Sequence, residues 1–356
     1  MSWEGRPLSA CIEKVSVPAK IPRKSFLASG PVPIVSQEAD FINGYWENEA
    51  DAVKVSEPLV VFGDHTQVLK LIDFDFVVGA DGVKLLKPKQ FLDARFLKYF
   101  LEANPFPSLG YARHYRHISN LEVPLPPIEE QERIVAVLDQ AFAALDRARA
   151  NAEANLADAE EVLENWLALI FERRGGDWQQ VGLPDISENL DRQRVPITKS
   201  DRVAGSVPYY GASGVVDHVA DYIFDEDLLL VSEDGANLLA RTYPIAFSIS
   251  GKSWVNNHAH VLRFEDRTDQ EFVRLYLESI SLKPFISGMA QPKLNQKALN
   301  IIPIPFPDAA TRQDIVEEAE RLTGLTTRAV GQYEKALEDI NDLRISILST
   351  AFKGRL

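Results

Sequence analysis

Residues 123–146 read VPLPPIEEQERIVAVLDQAFAALD, and this stretch decides the fold. Its prolines, at 124, 126 and 127, end the structure before them, because proline lacks a backbone donor and clashes inside helices. From residue 128 to residue 174 the chain then contains no proline and no glycine. The sequence therefore predicts a continuous helix of about forty-three residues, roughly 65 Å long.

The same arrangement occurs a second time near the end of the chain. Prolines recur at 303, 305 and 307, and a second helix of similar length is predicted after them. In both helices apolar or small residues follow alternating steps of four and three, the spacing of a coiled-coil seam. The predicted seams are Ile134, Leu138, Ala141, Leu145, Ala148, Ala152, Asn155, Ala159, Val162, Trp166 and Leu169, and Ile315, Ala319, Leu322, Thr326, Ala329, Tyr333, Ala336, Ile340, Leu343, Ile347 and Thr350. Two such helices in one chain favour intramolecular antiparallel pairing.

The globular parts before the helices are also duplicated. GPVPIV (30–35) aligns with GSVPYY (205–210), and RFLKYFLE (95–102) aligns with EFVRLYLE (271–278). Short alternating segments such as EPLVVFGD (57–64) and DLLLVSED (227–234) predict strands. A helix is predicted near 268–281, with Thr268 and Glu271 as its capping box. The predicted fold class is α+β: two mixed α/β domains joined by two long antiparallel coiled-coil helices, a tandem duplication with pseudo-two-fold symmetry. The domain boundaries predicted are 1–127, 128–174, 175–307 and 308–356.

Composition limits the class of protein. The chain has 356 residues, 46% of them hydrophobic, one cysteine and a formal net charge of −14. No signal sequence, internal disulfide or membrane span is expected, so the sequence predicts a cytoplasmic protein. Residues 1–120 carry equal numbers of acidic and basic side chains, and the acid excess lies largely in 121–300. The net charge therefore leaves room for a local basic face that binds nucleic acid.

The sequence predicts no active site in this chain. Residues 246–253, AFSISGKS, match a loose phosphate-loop pattern, but the flanking residues indicate two strands around a Gly-Lys turn rather than a loop before a helix. His258 and His260 are expected to share one face of a strand, and no metal site is predicted there because no further ligands group with them. The pair Glu233–Asp234 is interpreted as a solvated turn.

Taken in order, these segments resemble the specificity subunit of type I restriction-modification systems. The resemblance is carried by VPLPPIEEQERIVAVLD, GKSWVNNHAHVLRF (251–264), QPKLNQKALNIIPIPFP (291–307) and LRISILSTAFKGRL (343–356), and it covers essentially the whole chain. It implies a non-catalytic DNA-binding subunit in phage defence, in which each globular copy is a target recognition domain that reads one half of a bipartite double-stranded DNA target. It also implies two methyltransferase partners, which use S-adenosylmethionine for DNA methylation, and motor-nuclease partners, which use ATP and magnesium. No cofactor is expected in this chain.

Candidate DNA contacts are cationic, amide and aromatic side chains in loops, which bind phosphates or base edges. In the first copy FVVGADGVKLL (76–86) is the counterpart of GKSWVNNHAHVL, and RHYRHISNLEVPLP (113–126) replaces QPKLNQKALNIIPIP. The contacts predicted there are Arg23, Lys24, Lys84, Lys87, Lys89, Arg113, His114, Tyr115, Arg116 and His117. In the second copy they are Arg192, Arg194, Lys199, Tyr209, Tyr210, Lys252, Asn256, Asn257, His258, Gln291, Lys293 and Asn295. Trp254 is assigned to the core.

Two other functions fit parts of the sequence. A coiled-coil scaffold or dimerisation protein with protein-binding domains would explain the helices. An acidic DNA mimic that inhibits a DNA enzyme would explain the net charge. Neither of these proteins would bind duplex DNA in a salt-dependent way.

Overall fold

The computed structural model describes residues 3–105, 107, 113–172, 178–288 and 291–353. The chain forms two compact units. Unit 1 comprises residues 1–153 and 334–356, and unit 2 comprises residues 154–333. Each unit therefore contains one globular copy and a part of both long helices. The predicted boundary between residues 174 and 175 falls among residues 173–177, which lie outside the described residues.

Unit 1 is built from short strands and helices that precede a long helix. In chain order these elements are β1 (Gly5–Pro7), α1 (Leu8–Cys11), β2 (Ile12–Glu13), β3 (Lys20–Pro22), β4 (Val32–Val35), β5 (Gly44–Trp46), β6 (Leu59–Gly63), β7 (Leu69–Ile72), β8 (Val77–Ala80), β9 (Val83–Pro88), α2 (Ala94–Ala103), α3 (Tyr115–Ile118), β10 (Glu122–Pro124) and α4 (Ile128–Glu172). The strands form sheets of order β2-β9-β6-β7 and β3-β8-β4-β5, and β1 pairs with β10.

Unit 2 repeats most of this order of elements, with a different edge strand and one additional short helix. Its elements are β11 (Gln179–Val181), α5 (Leu183–Ile186), β12 (Glu188–Asn189), β13 (Ala204–Gly211), β14 (Gly214–Val219), β15 (Phe224–Asp225), β16 (Leu228–Ser232), α6 (Asn237–Ala240), β17 (Ala246–Ile249), β18 (Lys252–Val255), β19 (Ala259–Arg263), α7 (Arg267–Ser279), α8 (Gln296–Asn300), β20 (Ile304–Phe306) and α9 (Ala309–Phe352). Its sheets have the order β12-β19-β16-β17 and β15-β18-β13-β14, and β11 pairs with β20.

The two units share their topology except at one edge strand. In unit 1, β4 lies between antiparallel β5 and parallel β8, and in unit 2, β13 lies between antiparallel β14 and parallel β18. The next strand is β3, parallel to β8, in unit 1, but β15, antiparallel to β18, in unit 2. The repeated topology confirms the mixed α/β copies predicted from the aligned segments.

Each long helix ends against an amphipathic helix, α2 in unit 1 or α7 in unit 2. In unit 2, Phe171 of α4 lies 5.6 Å from Phe272 and 5.0 Å from Tyr276 of α7, between ring centroids. In unit 1, Phe352 of α9 lies 5.1 Å from Phe96 of α2. These edge-to-face contacts close the main core of each unit between its first sheet, its amphipathic helix and the ends of the long helices.

The long helices pair in antiparallel fashion, as the sequence predicts. Within unit 1, Asp146 of α4 lies 3.5 Å from Arg344 of α9, and Arg149 donates a hydrogen bond to Asn341. As residue numbers rise along α4, the numbers of the α9 residues that they contact fall, so the two helices run in opposite directions. Arg344 also lies over the Phe142 ring, 4.0 Å from its centroid.

The seam predicted on α4 is at least partly buried at seven positions, Ile134, Leu138, Ala141, Leu145, Ala152, Ala159 and Trp166, and wrong at four exposed ones, Ala148, Asn155, Val162 and Leu169. Ala152 and Ala159 are buried, but Val162 and Leu169 are 39% and 43% exposed, and Leu163 packs against the unit 2 core instead. On α9 most predicted positions are at least partly buried, whereas Leu343 is 48% exposed. An α4 seam through residues 142, 145, 149, 152, 156, 159 and 163 keeps the steps of three and four, so periodicity alone could not choose between the two sets.

Two local predictions are corrected and one is confirmed. The N-cap of α7 is Asp266, whose carboxylate accepts from the Thr268 and Asp269 amides, so the capping box predicted at Thr268 is wrong. Trp254 is half-buried rather than a core residue, and its Nε1 donates to the Val195 carbonyl over 2.7 Å. The strands predicted on both sides of the turn in AFSISGKS are present as β17 and β18. No helix in the described part of the chain is both long and apolar enough to cross a membrane.

Candidate nucleic-acid interface

A buried ionic network in unit 2 connects the segments that carry most of its predicted DNA contacts. The Arg194 guanidinium donates to Glu233 Oε2 and to the Ala259 carbonyl, both over 2.7 Å. Lys293 Nζ lies 3.1 Å from Glu233 Oε1. The side chains of Arg194 and Glu233 are each 12% exposed, so the pair is largely desolvated and its charges compensate one another.

His260 extends this network to a third segment. Its Nδ1 lies 2.6 Å from Asp191 Oδ2, and its Nε2 lies 2.7 Å from the Leu294 carbonyl oxygen. Since a carbonyl oxygen and a carboxylate both accept, an imidazolium that donates from both nitrogens satisfies the two contacts. His260 is 1% exposed, and His258 is exposed with its Nδ1 3.0 Å from Asp234 Oδ1. The expectation that the two histidines share one face is therefore wrong, because His258 lies in the turn before β19.

The network changes the titration of its two carboxylates. Burial by itself would raise the pKa of Asp191, but the hydrogen bond and charge of His260, the Val261 amide and the Arg194 charge hold this pKa below its ordinary value. Burial would likewise raise the pKa of Glu233, but hydrogen bonds from Arg194 and Lys293 and the charge of His260 lower it. Both groups are therefore stabilised as carboxylates.

Asp191, Glu233 and His260 also form the type of grouping from which metal sites are built, with ligand atoms within 4.8 Å of one another. Arg194 and Lys293 already place positive charge on the Glu233 carboxylate. The charge that a cation would supply is thus provided by side chains, and we describe the group as an ionic network.

Several predicted contacts of unit 2 lie exposed around this network. Arg192 follows Asp191, Asn257 and His258 lie between β18 and β19, and Gln291 precedes the segment that bonds to His260. Lys293 is half exposed, although it pairs with Glu233. The structure therefore brings three loops from distant parts of the sequence to one surface. Lys199 and Lys252 are also exposed, and Lys252 Nζ lies 4.5 Å from the Tyr222 ring centroid.

Other side chains predicted as contacts in unit 2 have structural partners. Arg194 is in the network, and Tyr209 is 1% exposed and exchanges hydrogen bonds with the Ile197 backbone. Asn256 is 6% exposed, and its Oδ1 accepts from the His258 amide. Asn295 caps α8 by accepting from the Ala298 amide. Tyr210 is half-buried, which raises the pKa of its hydroxyl. Burial leaves Tyr209 and Asn256 almost no surface for DNA, and the Arg194 side chain is only 12% exposed and already paired, so the structure does not support these three as direct contacts.

In unit 1 several of the predicted DNA contacts bond to or lie near Asp64, which is 2% exposed. Asp64 Oδ1 accepts from the Tyr115 amide over 2.7 Å, and Oδ2 lies 3.9 Å from Lys84 Nζ. The Asp64 carbonyl accepts from the His114 amide and from His114 Nδ1, both over 2.8 Å. His114 is 0% exposed, so its prediction as a DNA contact is corrected: it anchors the segment from within.

The remaining predicted contacts of unit 1 are at least partly exposed. Arg113, Arg116 and His117 lie exposed at α3, and Lys84 Nζ lies 5.3 Å from the Tyr115 ring centroid. Lys87 pairs with Glu13 at 3.2 Å, and Arg23 pairs with Glu38 at 3.4 Å. Lys24 is exposed and Lys89 is half-buried.

Sequence reasoning missed the buried acidic residues on which these surfaces depend. Glu233 was interpreted as part of a solvated turn, and Asp64 was not singled out. Each lies within its repeated segment, EPLVVFGD or DLLLVSED, directly after the strand β6 or β16, and an acidic residue at the end of both strand segments was the available signal. Lys70 was also missed. It is 3% exposed, and its Nζ donates to the carbonyls of Ser36 and Asp40 and to Asn43 Oδ1, which fixes the loop 36–43.

A family model described as the type I restriction modification DNA specificity domain matches residues 3–155 and again residues 175–338. The chain belongs to this family. The two matches contain the two globular copies, so each copy is a DNA specificity domain, and the tandem duplication is confirmed.

Individual relatives agree with this assignment. A protein named as a type I restriction enzyme specificity subunit from Haemophilus influenzae is 33% identical over 162 residues, which are 46% of this chain and 41% of the relative. The chain thus spans about two fifths of that relative's length. A solved structure from work on the assembly of the type I restriction-modification system has a TM-score of 0.74 at 17% identity and covers 100% of this chain and 98% of its own. The HsdS subunit from Thermoanaerobacter tengcongensis has a TM-score of 0.63 at 18% identity, with coverage of 100% and 97%. These two likenesses show the fold of the specificity domains.

Proposed function

We propose that the chain is the DNA-reading subunit of a type I restriction-modification complex and that each specificity domain reads one half of a bipartite target. The observation that carries this proposal is the repeated match to the DNA specificity family, one match for each unit. The exposed cationic and amide side chains around Asp64 in unit 1 and around Glu233 in unit 2 support it, because such groups bind phosphates and base edges. Catalysis belongs to other subunits in this proposal, and the complex acts in the cytoplasm.

The partners that we propose are two methyltransferase subunits, which bring motor-nuclease subunits into the complex. The long helices offer them charged side chains off the seam, namely Glu129, Glu130, Arg133, Glu160, Glu161, Glu164, Glu317, Glu318 and Glu320. Exposed Val162 and Leu169 add apolar area on α4. S-adenosylmethionine, ATP and magnesium belong to these partner subunits.

The test is to purify the full chain with its methyltransferase and to measure both composition and DNA binding. We expect two methyltransferase subunits per chain and a duplex DNA shift that weakens steeply with salt, because phosphate contacts release counterions. A scaffold or a DNA mimic would give no such shift. A stable one-to-one complex at saturating methyltransferase would contradict the proposed stoichiometry but not DNA reading.

A further inference from the structure

Asp64 and Glu233 hold equivalent places in the two units. Each directly follows an inner strand of its first sheet, β6 or β16. The Asp64 amide donates to the Gly82 carbonyl over 2.6 Å, and the Glu233 amide donates to the His258 carbonyl over 2.9 Å. The Asp64 carbonyl accepts from the His114 amide and the Glu233 carbonyl from the Leu294 amide, each over 2.8 Å. The backbone of one acidic residue thus joins the same two loops in both copies.

We propose that the Asp64 and Glu233 carboxylates are positioning residues for DNA readout, each for the half of the target that its own domain reads. This inference rests on the proposed function and deepens it. It assigns to two buried acidic side chains a role in sequence discrimination that requires no contact with DNA.

In unit 2 the Glu233 carboxylate acts through two cations. Its contacts with Arg194 and Lys293 tie the turn after Asp191, the start of β19 and the segment 291–295 together. The exposed candidate DNA contacts in or directly beside these three segments are Arg192, Asn257, His258 and Gln291. Segments that bond to one fixed carboxylate cannot shift independently. The four exposed side chains therefore keep fixed positions relative to one another.

In unit 1 the Asp64 carboxylate acts on the segment 113–117 directly. Its bond to the Tyr115 amide fixes the first turn of α3, and Lys84 lies between that carboxylate and the Tyr115 ring. Arg113, Arg116 and His117 are exposed on either side of the fixed amide. The same anchoring is thus achieved with a shorter side chain.

Such anchoring is expected to act on discrimination between bases. A base-edge contact depends on placing a side chain within a few tenths of an ångström, whereas a long cation reaches a phosphate from many positions. A loosened loop therefore loses base discrimination before it loses general affinity for DNA. Removal of a cation that neutralises a phosphate has another signature, because it lowers the slope of log affinity against log salt by about 0.9.

The experiment compares alanine variants with near-isosteric ones in the complete complex. The wild-type target is first read by sequencing methylated DNA from cells that carry the system. Binding is then measured to duplexes that contain this target or one base-pair change in either half. We expect Asp64→Ala to reduce discrimination at least tenfold in one half and Glu233→Ala to do so in the other. Asp64→Asn, which keeps the oxygen that accepts from the Tyr115 amide, should stay within about threefold of wild type. Glu233→Gln keeps an acceptor oxygen for only one of the two cations, so its loss of discrimination should lie between that of wild type and that of Glu233→Ala.

The salt slope and a fold control complete the test. Both alanine variants should keep the wild-type salt slope and the wild-type discrimination in the unaffected half. If Glu233→Ala does not fold, Glu233→Asp takes its place, and its shorter reach should reduce discrimination about threefold in the same half. Unchanged discrimination, equal losses in both halves, or a lower salt slope would each overturn the inference. If the wild-type complex itself recognises no bipartite target, the proposed function fails instead.

Discussion

At the scale of single residues, the role of a cation is decided by its neighbours and not by its place in a basic segment. Arg192 and Arg194 are two positions apart, yet Arg192 is exposed and Arg194 is bound to Glu233 and Ala259. His114 and Arg116 differ in the same way, since His114 is fully buried and Arg116 is exposed. In each pair the exposed residue, Arg192 or Arg116, is therefore the candidate DNA contact.

The first residue-scale prediction concerns Arg113 and Arg116. Replacing both by alanine removes two exposed cations, so we expect weaker binding to duplex DNA and a lower salt slope, by about 0.9 for each phosphate that is no longer neutralised. Sequence preference should change in one half of the target only. Methylation sequencing and binding titrations at several salt concentrations measure both effects. Equal changes in both halves would contradict the assignment of one domain to one half.

The second residue-scale prediction concerns acid stability. The folded-state pKa of Asp191 and that of Glu233 lie below their ordinary values, which are about 3.9 and 4.3. A lowered folded pKa adds stability that is present above the unfolded pKa and lost as the pH falls through the folded pKa. We therefore expect the stability difference between wild type and Asp191→Asn to be largest above pH ~4 and to shrink below it.

Thermal unfolding of both proteins across this pH range measures the difference. Asp217→Asn is a suitable control, because Asp217 has a lowered pKa but lies outside the buried network and pairs with Arg202. Its effect on stability should be smaller at every pH, since a more exposed pair is screened by solvent. A difference between wild type and Asp191→Asn that grows on acidification would contradict the prediction.

At the scale of elements, the long helices show which part of a periodic pattern is determined locally. Both predicted helices are present, because their sequences lack prolines and carry apolar residues at helical spacing. The choice between Val162 and Leu163 as seam residue was wrong in the prediction. Neighbouring positions on a helix differ by about 100°, and the packing partner decides which of them is covered.

The element-scale prediction compares two leucines of α4. Leu163 packs against the unit 2 core, and Leu169 is 43% exposed. We expect Leu163→Ala to lower the free energy of unfolding by about 1–3 kcal/mol, somewhat less than for a fully buried leucine. Leu169→Ala should change it by less than about 0.5 kcal/mol. Denaturant unfolding of the isolated chain measures both.

Leu169 also tests the surface of α4 that is proposed to bind methyltransferase. If α4 binds methyltransferase through its exposed apolar residues, Leu169→Glu should weaken assembly of the complex without destabilising the chain. Assembly that is as tight as for wild type would remove Leu169 from that surface.

At the scale of the whole molecule, the chain consists of two DNA specificity domains and two helices that each contribute to both compact units. A helix is a stiff element of fixed rise, whereas a flexible linker would allow a range of distances. On the proposed function, helix length therefore sets the number of base pairs between the two halves of the target.

The whole-molecule prediction is an insertion of four residues after Ala157. It adds about 6 Å and roughly one helical turn to α4, although a stutter in the seam absorbs part of the change. We expect the same two half-sites to be methylated with a spacer that is one or two base pairs longer. Sequencing methylated DNA from cells that carry the variant and its partner subunits measures this spacer. Full activity at an unchanged spacer would exclude the helices as the determinant of spacing.

The sequence by itself determined the long helices, the duplication, the strands of both copies and, through its motifs, the family. These features follow from backbone periodicity and from residues close together in the chain, such as the prolines before Ile128. Only the tertiary structure decided that His114 and Tyr209 are buried, that Arg194 is largely buried against Glu233, and that Leu163 replaces Val162 in the seam. The physical reason is the distance along the chain between partners. Arg194 meets Glu233 and His260 meets Asp191 from 39 and 69 residues away, and no local pattern specifies which distant group will desolvate a charge.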